Sequence, residues 1–181
     1  MKLAVLRVGP VDVGIVQNIK KRLCTTFPET ACTIVNNVIP IPEEAYNQQR
    51  HQYSSTKILI RIGDHLQSLD ADRVLGVVEA DLYAAGLNFV FGEAECPGKV
   101  AVISFCRLRP EFYGHSRDST LFAERSVKEA VHEVGHTLGL SHCHDSSCVM
   151  FFSNSISDTD HKGSSFCDRC FGLVSRRLKR V

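Results

Sequence analysis

The chain has 181 residues, with 21 Lys and Arg against 20 Asp and Glu and a formal net charge of +1, a balance that gives no sign of a nucleic-acid or membrane-surface binder. A hydrophobic content of 44% is ordinary for a globular protein, and the length is one domain's worth, enough for a real core. No apolar run approaches the length of a membrane span, and the opening segment from Met1 to Gly9 is too short for a signal-peptide core, so a cytoplasmic protein is expected.

Residues 2–8 alternate and then run apolar, as a first strand does, and Gly9-Pro10 turns the chain. Val13, Val16, Ile19 and Leu23 mark an amphipathic helix to about Phe27, where Pro28 ends it. Ala31 to Ile39 is a second strand, broken by Pro40 and Pro42, and the polar stretch from Glu43 to Tyr53 reads as a loop or short helix. Ser54-Ser55 caps a helix whose core stripe is Ile58, Ile62, Leu66 and Leu69. Arg73 to Asp81 is a third strand, Tyr83 to Gly86 a turn, and Asn88 to Ala94 and Lys99 to Leu108 two more strands separated by Cys96-Pro97-Gly98. The next helix starts near Asp118-Ser119-Thr120 and carries an apolar stripe of Val127, Val131, Val134 and Leu138. Ser141 to Met150 reads as a tight polar loop and residues 151–166 as irregular. Residues 167–181 read as helical, with Phe171, Val174 and Leu178 on one side. This order of β-α-β-α-β, two strands and a helix predicts an α/β layer with a mostly parallel, twisted sheet.

The stretch His132-Glu133-Val134-Gly135-His136-Thr137-Leu138-Gly139-Leu140-Ser141-His142 carries the chemistry. Residues four apart share a helix face, so His132 and His136 can both reach one metal ion. Glu133 lies about 60° around from His136, poorly aimed as a ligand and well placed as a general base for a metal-bound water. Gly139 suits a left-handed C-cap, after which the chain can bring His142 to the ion. Three neutral imidazoles with a fourth position open make a catalytic zinc arrangement. Eight cysteines without a secretion signal point to metal ligation over disulfides. Cys143-x4-Cys148 and Cys167-x2-Cys170 supply four thiolates, which suit a closed, structural Zn²⁺. The cations Arg169, Arg176, Arg177, Lys179 and Arg180 lie close in sequence and can offset its negative charge. Cys24, Cys32, Cys96 and Cys106 sit in apolar segments without ligand spacing and read as buried thiols.

Together these residues resemble the metzincin signature H-E-x-x-H-x-x-G-x-x-H with a later Met-turn. The cysteines that follow make the chain similar to the archaemetzincin branch, zinc metalloproteases with a second, four-cysteine zinc. The resemblance implies a metzincin-like α/β fold: a mixed, mostly parallel twisted sheet with an antiparallel edge strand, packed on helices that include the zinc-binding helix. That edge strand would bind substrate backbone, and Phe89-Val90-Phe91-Gly92-Glu93-Ala94 is the segment expected to form it. Met150 would floor the three-histidine site. The implied activity is that of a metalloprotease or aminopeptidase, hydrolysing peptide bonds with a zinc-activated water and Glu133 as general base. Two Zn²⁺ are implied, one catalytic and one structural. A single catalytic domain over residues 1–181 is expected: 1–140 form the upper part with the active-site helix, and 141–181 hold the Met-turn and the cysteine site. Some metzincins carry a Tyr two residues after the Met; here Phe152 stands there, leaving His144, Asp145 and Tyr113 as candidates for an oxyanion role. A peptide substrate and a monomer are expected, with neither membrane nor nucleic acid as a partner. The alternative is a zinc-binding protein of the same fold with little or no turnover, acting as a peptide- or nucleic-acid-binding module through the basic tail from Arg176 to Arg180. Salt-dependent DNA binding separates the two.

Overall fold

The computed structural model describes residues 1–179. In chain order its elements are β1 (Lys2–Val8), α1 (Val13–Thr26), β2 (Ala31–Ile39), β3 (Tyr46–Asn47), β4 (Gln52–Ser54), α2 (Ser55–Leu66), β5 (Arg73–Val78), β6 (Leu82–Tyr83), β7 (Gly92–Ala94), β8 (Val100–Ser104), α3 (Ser119–Thr137), α4 (Ile156–His161) and α5 (Asp168–Leu178). Asp12, Ser54 and Asp118 cap α1, α2 and α3, each side chain accepting a backbone N–H of the first turn.

β1, β5 and β8 are apolar at nearly every position, the composition of inner parallel strands buried on both faces. They build a five-stranded sheet of order β2-β1-β5-β8-β7, parallel throughout except for β7, which runs antiparallel to β8 at the edge. Side chains alternate along each strand, so one sequence feeds two cores. Leu3, Val5, Leu75, Val77, Ala101 and Ile103 face α1 and α3, whereas Ala4, Leu6, Val74, Val78, Val100 and Val102 face α2. All four positions of the predicted stripe on α3, Val127, Val131, Val134 and Leu138, are buried. Among the described residues no helix is long and apolar enough to cross a membrane.

Several expectations are corrected. The polar stretch from Glu43 to Tyr53 holds a short helix of the expected kind, a 3₁₀ turn over Glu43–Ala45, but also the hairpin β3–β4, which β6 extends to a three-stranded sheet. Pairing with β6 and Arg50 donating to the Leu87 and Asn88 carbonyls hold it, contacts that a local reading cannot see. The expected strand from Asn88 to Ala94 exists only over Gly92–Ala94; before it Phe91 O still accepts from Ser104 N at the end of β8, and Val90 pairs with Leu82 instead, donating its N–H to Leu82 O. β8 stops at Ser104, whose hydroxyl donates to Ala80 O and accepts from Cys106 N, turning the chain into a 3₁₀ segment. Phe171 is exposed, and α5 buries Cys170 and Val174. Of the four thiols expected to be buried only Cys32 is; Cys24 and Cys106 are half-buried and Cys96 is exposed. Arg180, part of the basic tail, lies outside the described residues.

The stretch 151–166, expected to be irregular, contains α4. Ser155 and Asp158 form a reciprocal capping box at its start. It docks on α3 through charge. Arg125 grips both carboxylate oxygens of Asp160 at 2.7 Å, and Lys128 Nζ donates to the Thr159 and Asp160 carbonyls, which would otherwise be orphans at the helix end. Lys162, its side chain 0% exposed, lies 2.9 Å from Glu129 Oε1, which also accepts the Thr159 hydroxyl.

Breaking a buried pair strands the remaining charge, at a cost of about 3–5 kcal/mol. Lys162→Met should therefore lower stability by about that much, read from urea unfolding, and adding Glu129→Gln should recover most of the loss. A Lys162→Met protein as stable as the wild type would show that Glu129 carries no charge there.

Candidate active site

α3 presents His132, Glu133 and His136 to a cleft, the first two nearly buried at 4% and 6% exposure. Gly139, with φ +82°, ends the helix in a paired closure: its N–H donates to His136 O at 2.7 Å, and Leu140 N–H to Gly135 O at 3.2 Å. The chain reverses there and carries His142 back over the helix. The ring centres of the three histidines lie 4.6, 4.9 and 5.3 Å apart, and one ligand atom of each falls within 4.8 Å of the others.

Two carbonyls set the ring orientations. His132 Nδ1 lies 2.8 Å from Val149 O and His136 Nδ1 2.6 Å from Leu140 O. A carbonyl only accepts, so each Nδ1 carries the proton and each Nε2 presents a lone pair. The two Nε2 atoms are 3.0 Å apart. Burial drives His132 well below the ordinary histidine pKa, with Lys162 adding to the effect, and lowers His136 and His142 as well. A shared proton is thus disfavoured, and two converging lone pairs at this distance fit a metal cation between them.

Glu133 stands beside this point. Burial, reinforced by Glu129, raises its carboxyl pKa well above the usual range. Gly92 of β7 lies against it: a Cβ on Gly92 would come within 2.6 Å of Glu133 Cγ and 2.7 Å of its Oε1. Beneath the helix Met150 is fully buried, and a Cβ on Gly135 would come within 2.6 Å of its Sδ. Both glycines are bare because the side chain of Glu133 or Met150 occupies the space a Cβ would need. Neither role was legible in the sequence, although a glycine inside a helix, where it costs about 1 kcal/mol against Ala, is itself a signal.

The cleft has a volume of about 690 Å³. Residues 86–94 form one wall, and Phe152, Ser153 and Asn154 stand opposite, with Glu129 among the lining residues. All six residues of the expected edge segment, Phe89 to Ala94, border the cleft, although only Gly92–Ala94 are strand. Cys96 also lines the cleft, its Sγ 3.5 Å from the Leu140 carbonyl that holds His136. His144, Asp145 and Tyr113 do not line it. Asp145 accepts from the backbone and hydroxyl of Ser147, and the Tyr113 hydroxyl donates to Arg107 O, so neither is aimed at the histidines.

The second cluster follows at once. The four Sγ atoms of Cys143, Cys148, Cys167 and Cys170 lie within 4.8 Å of one another, and Cys143 and Cys167 are 3.9 Å apart. A tetrahedron with Zn–S bonds of 2.3 Å has edges of about 3.8 Å, so the set fits a closed zinc site and is too wide for a disulfide across that pair. Cys143 N–H donates to Met150 O at 2.9 Å, which ties this cluster to the floor of the first.

A mixed sheet with an antiparallel edge, set over a helix whose paired imidazoles converge with a third, is the architecture of a metzincin-type zinc metallopeptidase. Residues 11–176 match peptidase family M54, and the chain belongs to that family, the archaemetzincins. It is 47% identical over 177 residues to the archaemetzincin of Methanocaldococcus jannaschii, covering 98% of this chain and 94% of the relative. The crystal structure of the Methanopyrus kandleri archaemetzincin superposes with a TM-score of 0.86 at 40% identity, over 99% of this chain and 96% of that one. The Archaeoglobus fulgidus archaemetzincin, crystallised with malonate, gives 0.80 at 40% identity over 96% and 99%.

Gly135→Ala should lower the melting temperature by about 2–8 °C, because overpacking against Met150 outweighs the better helix propensity of Ala. Differential scanning calorimetry checks this, and a raised melting temperature would mean that Met150 is free to move aside.

Proposed function

We propose that His132, His136 and His142 hold a catalytic Zn²⁺, that Cys143, Cys148, Cys167 and Cys170 hold a structural one, and that Glu133 is the general base of peptide-bond hydrolysis. The chain then acts as one catalytic domain, with residues 1–140 supplying the helix and sheet and 141–181 the Met-turn and cysteine site. The observation that carries this reading is the pair of Nε2 atoms 3.0 Å apart, each ring oriented by a carbonyl on its Nδ1, with the buried Glu133 side chain alongside.

When bound, the zinc supplies Lewis acidity, polarising the scissile carbonyl and acidifying a water. The protein's own residues do the rest. Glu133, adjacent to the ligands and not one of them, takes the proton of the attacking water and passes it to the leaving amine. The outer edge of β7 offers unpaired backbone groups to an extended peptide, and main-chain pairing of this kind demands little of the side chains. Met150 keeps the underside of the site apolar and packed against Gly135.

Native mass spectrometry should find two zinc ions per chain. Glu133→Gln should retain both and lose about 10²–10⁴-fold in the cleavage of any peptide that the wild type cuts. His136→Ala should lose one ion together with the activity. A Glu133→Gln protein working at the wild-type rate would remove Glu133 from the mechanism.

A separate expectation concerns the cysteines. Structural zinc contributes folding free energy on the order of 10 kcal/mol in small zinc domains. Cys167→Ser should release that ion, loosen the chain after Ser141 and displace His142, so that activity falls with Glu133 intact. Unchanged stability in Cys167→Ser would refute the structural role.

A further inference from the structure

The three candidate ligands are not held alike. His132 and His136 each have a backbone carbonyl on Nδ1. His142 is exposed, and among the described residues neither of its ring nitrogens meets a hydrogen-bond partner in the protein. An imidazole without a partner rotates about χ2, and a ligand that rotates must be ordered by the metal itself. Besides the two partner imidazoles, the aromatic side chain that lies against this ring among the described residues is Phe152, with ring centres 4.8 Å apart and the planes inclined at 61°. Phe152 is itself 47% exposed, so burial in the core does not account for its place.

The backbone puts it there. Cys143 and Phe151 form an isolated parallel bridge, and Cys143 N–H donates to Met150 O at 2.9 Å. His142 precedes one side of this bridge and Phe152 follows the other, so the two rings meet at the mouth of the cleft, which Phe152 also lines. An inclined aromatic pair is attractive in a limited range of geometries, because the positive edge of one ring seeks the negative face of the other.

We propose that Phe152 is the positioning residue of the third ligand. Its ring does for His142 what the Val149 and Leu140 carbonyls do for His132 and His136: it restricts the imidazole to the rotamer that faces the other two before a metal arrives. The contact is softer than a hydrogen bond and open to solvent, so His142 is the ligand that lets go first. The proposal rests on the three-histidine reading above, and the experiment separates the two.

Zinc-loaded protein is challenged with excess chelator, and the loss of each ion is followed by native mass spectrometry, with His136→Ala protein marking the cysteine-bound ion. Phe152→Ala should release the histidine-bound zinc about tenfold faster than the wild type while keeping the cysteine-bound ion. Phe152→Tyr, which keeps the ring, should release it at a rate within about twofold of the wild type. The Co²⁺-substituted protein gives an independent readout, since its visible spectrum should change with ligand geometry in Phe152→Ala and be restored in Phe152→Tyr. Unchanged zinc release in Phe152→Ala overturns the proposal, and a raised KM with unchanged release would assign the ring to the substrate instead. Loss of both ions together would place the effect in the folding of the C-terminal segment and equally overturn it. A wild-type protein that bound no zinc at the histidines would fail a different claim, the site reading itself.

Discussion

The site depends on two nitrogen lone pairs held face to face. His132 Nε2 and His136 Nε2 are 3.0 Å apart because each ring is turned by a carbonyl on its far side. One carbonyl, Leu140 O, belongs to the turn that ends α3, and the other, Val149 O, to a segment 17 residues downstream. The left-handed Gly139 and the Met150 loop are thus parts of one device. Both bring a backbone acceptor to the back of an imidazole, and both bring the chain round so that His142 can approach from the front.

Such a device needs the chain after α3 to be rigid, yet that chain is short of apolar residues. Its buried hydrophobes are few, chiefly Leu140, Val149, Met150 and Val174 beside the thiols of Cys148 and Cys170. Other forces hold it. Arg125, Lys128 and Glu129 on α3 fasten α4 and Lys162 through ion pairs and capped carbonyls, and the four cysteines gather residues 143, 148, 167 and 170 to one point. The polar groups that α3 buries at Arg125, Lys128 and Glu129 serve docking, whereas Glu133 is buried on the side that faces the histidine cleft. Both sit on a helix whose remaining face is packed on the sheet.

The family relationship bears on the whole chain, since the matched relatives align over nearly its full length. The antiparallel strand β7 spans only Gly92–Ala94, and the preceding Phe89 to Phe91 form part of the cleft wall. Gly92 follows from packing: a strand that crosses this close to the Glu133 side chain cannot carry a side chain on that face.

What the sequence determined by itself is local. The 100° step of a helix puts His132 and His136 together whatever surrounds them, the caps at Ser54 and Asp118 mark their own helices, and Gly139 requires a turn. Continuous apolar runs identify the inner strands for the same reason, since burial on both faces leaves a mark on every residue. Only the tertiary structure decided the extent of β7, the existence of α4, the exposure of Cys96 and Phe171, and the exclusion of His144, Asp145 and Tyr113 from the cleft. It also decided that Lys162 pairs with Glu129 across 33 residues and that Phe152 meets His142. These outcomes turn on contacts between residues remote along the chain, and periodicity, which records only how a segment relates to itself, carries no trace of them.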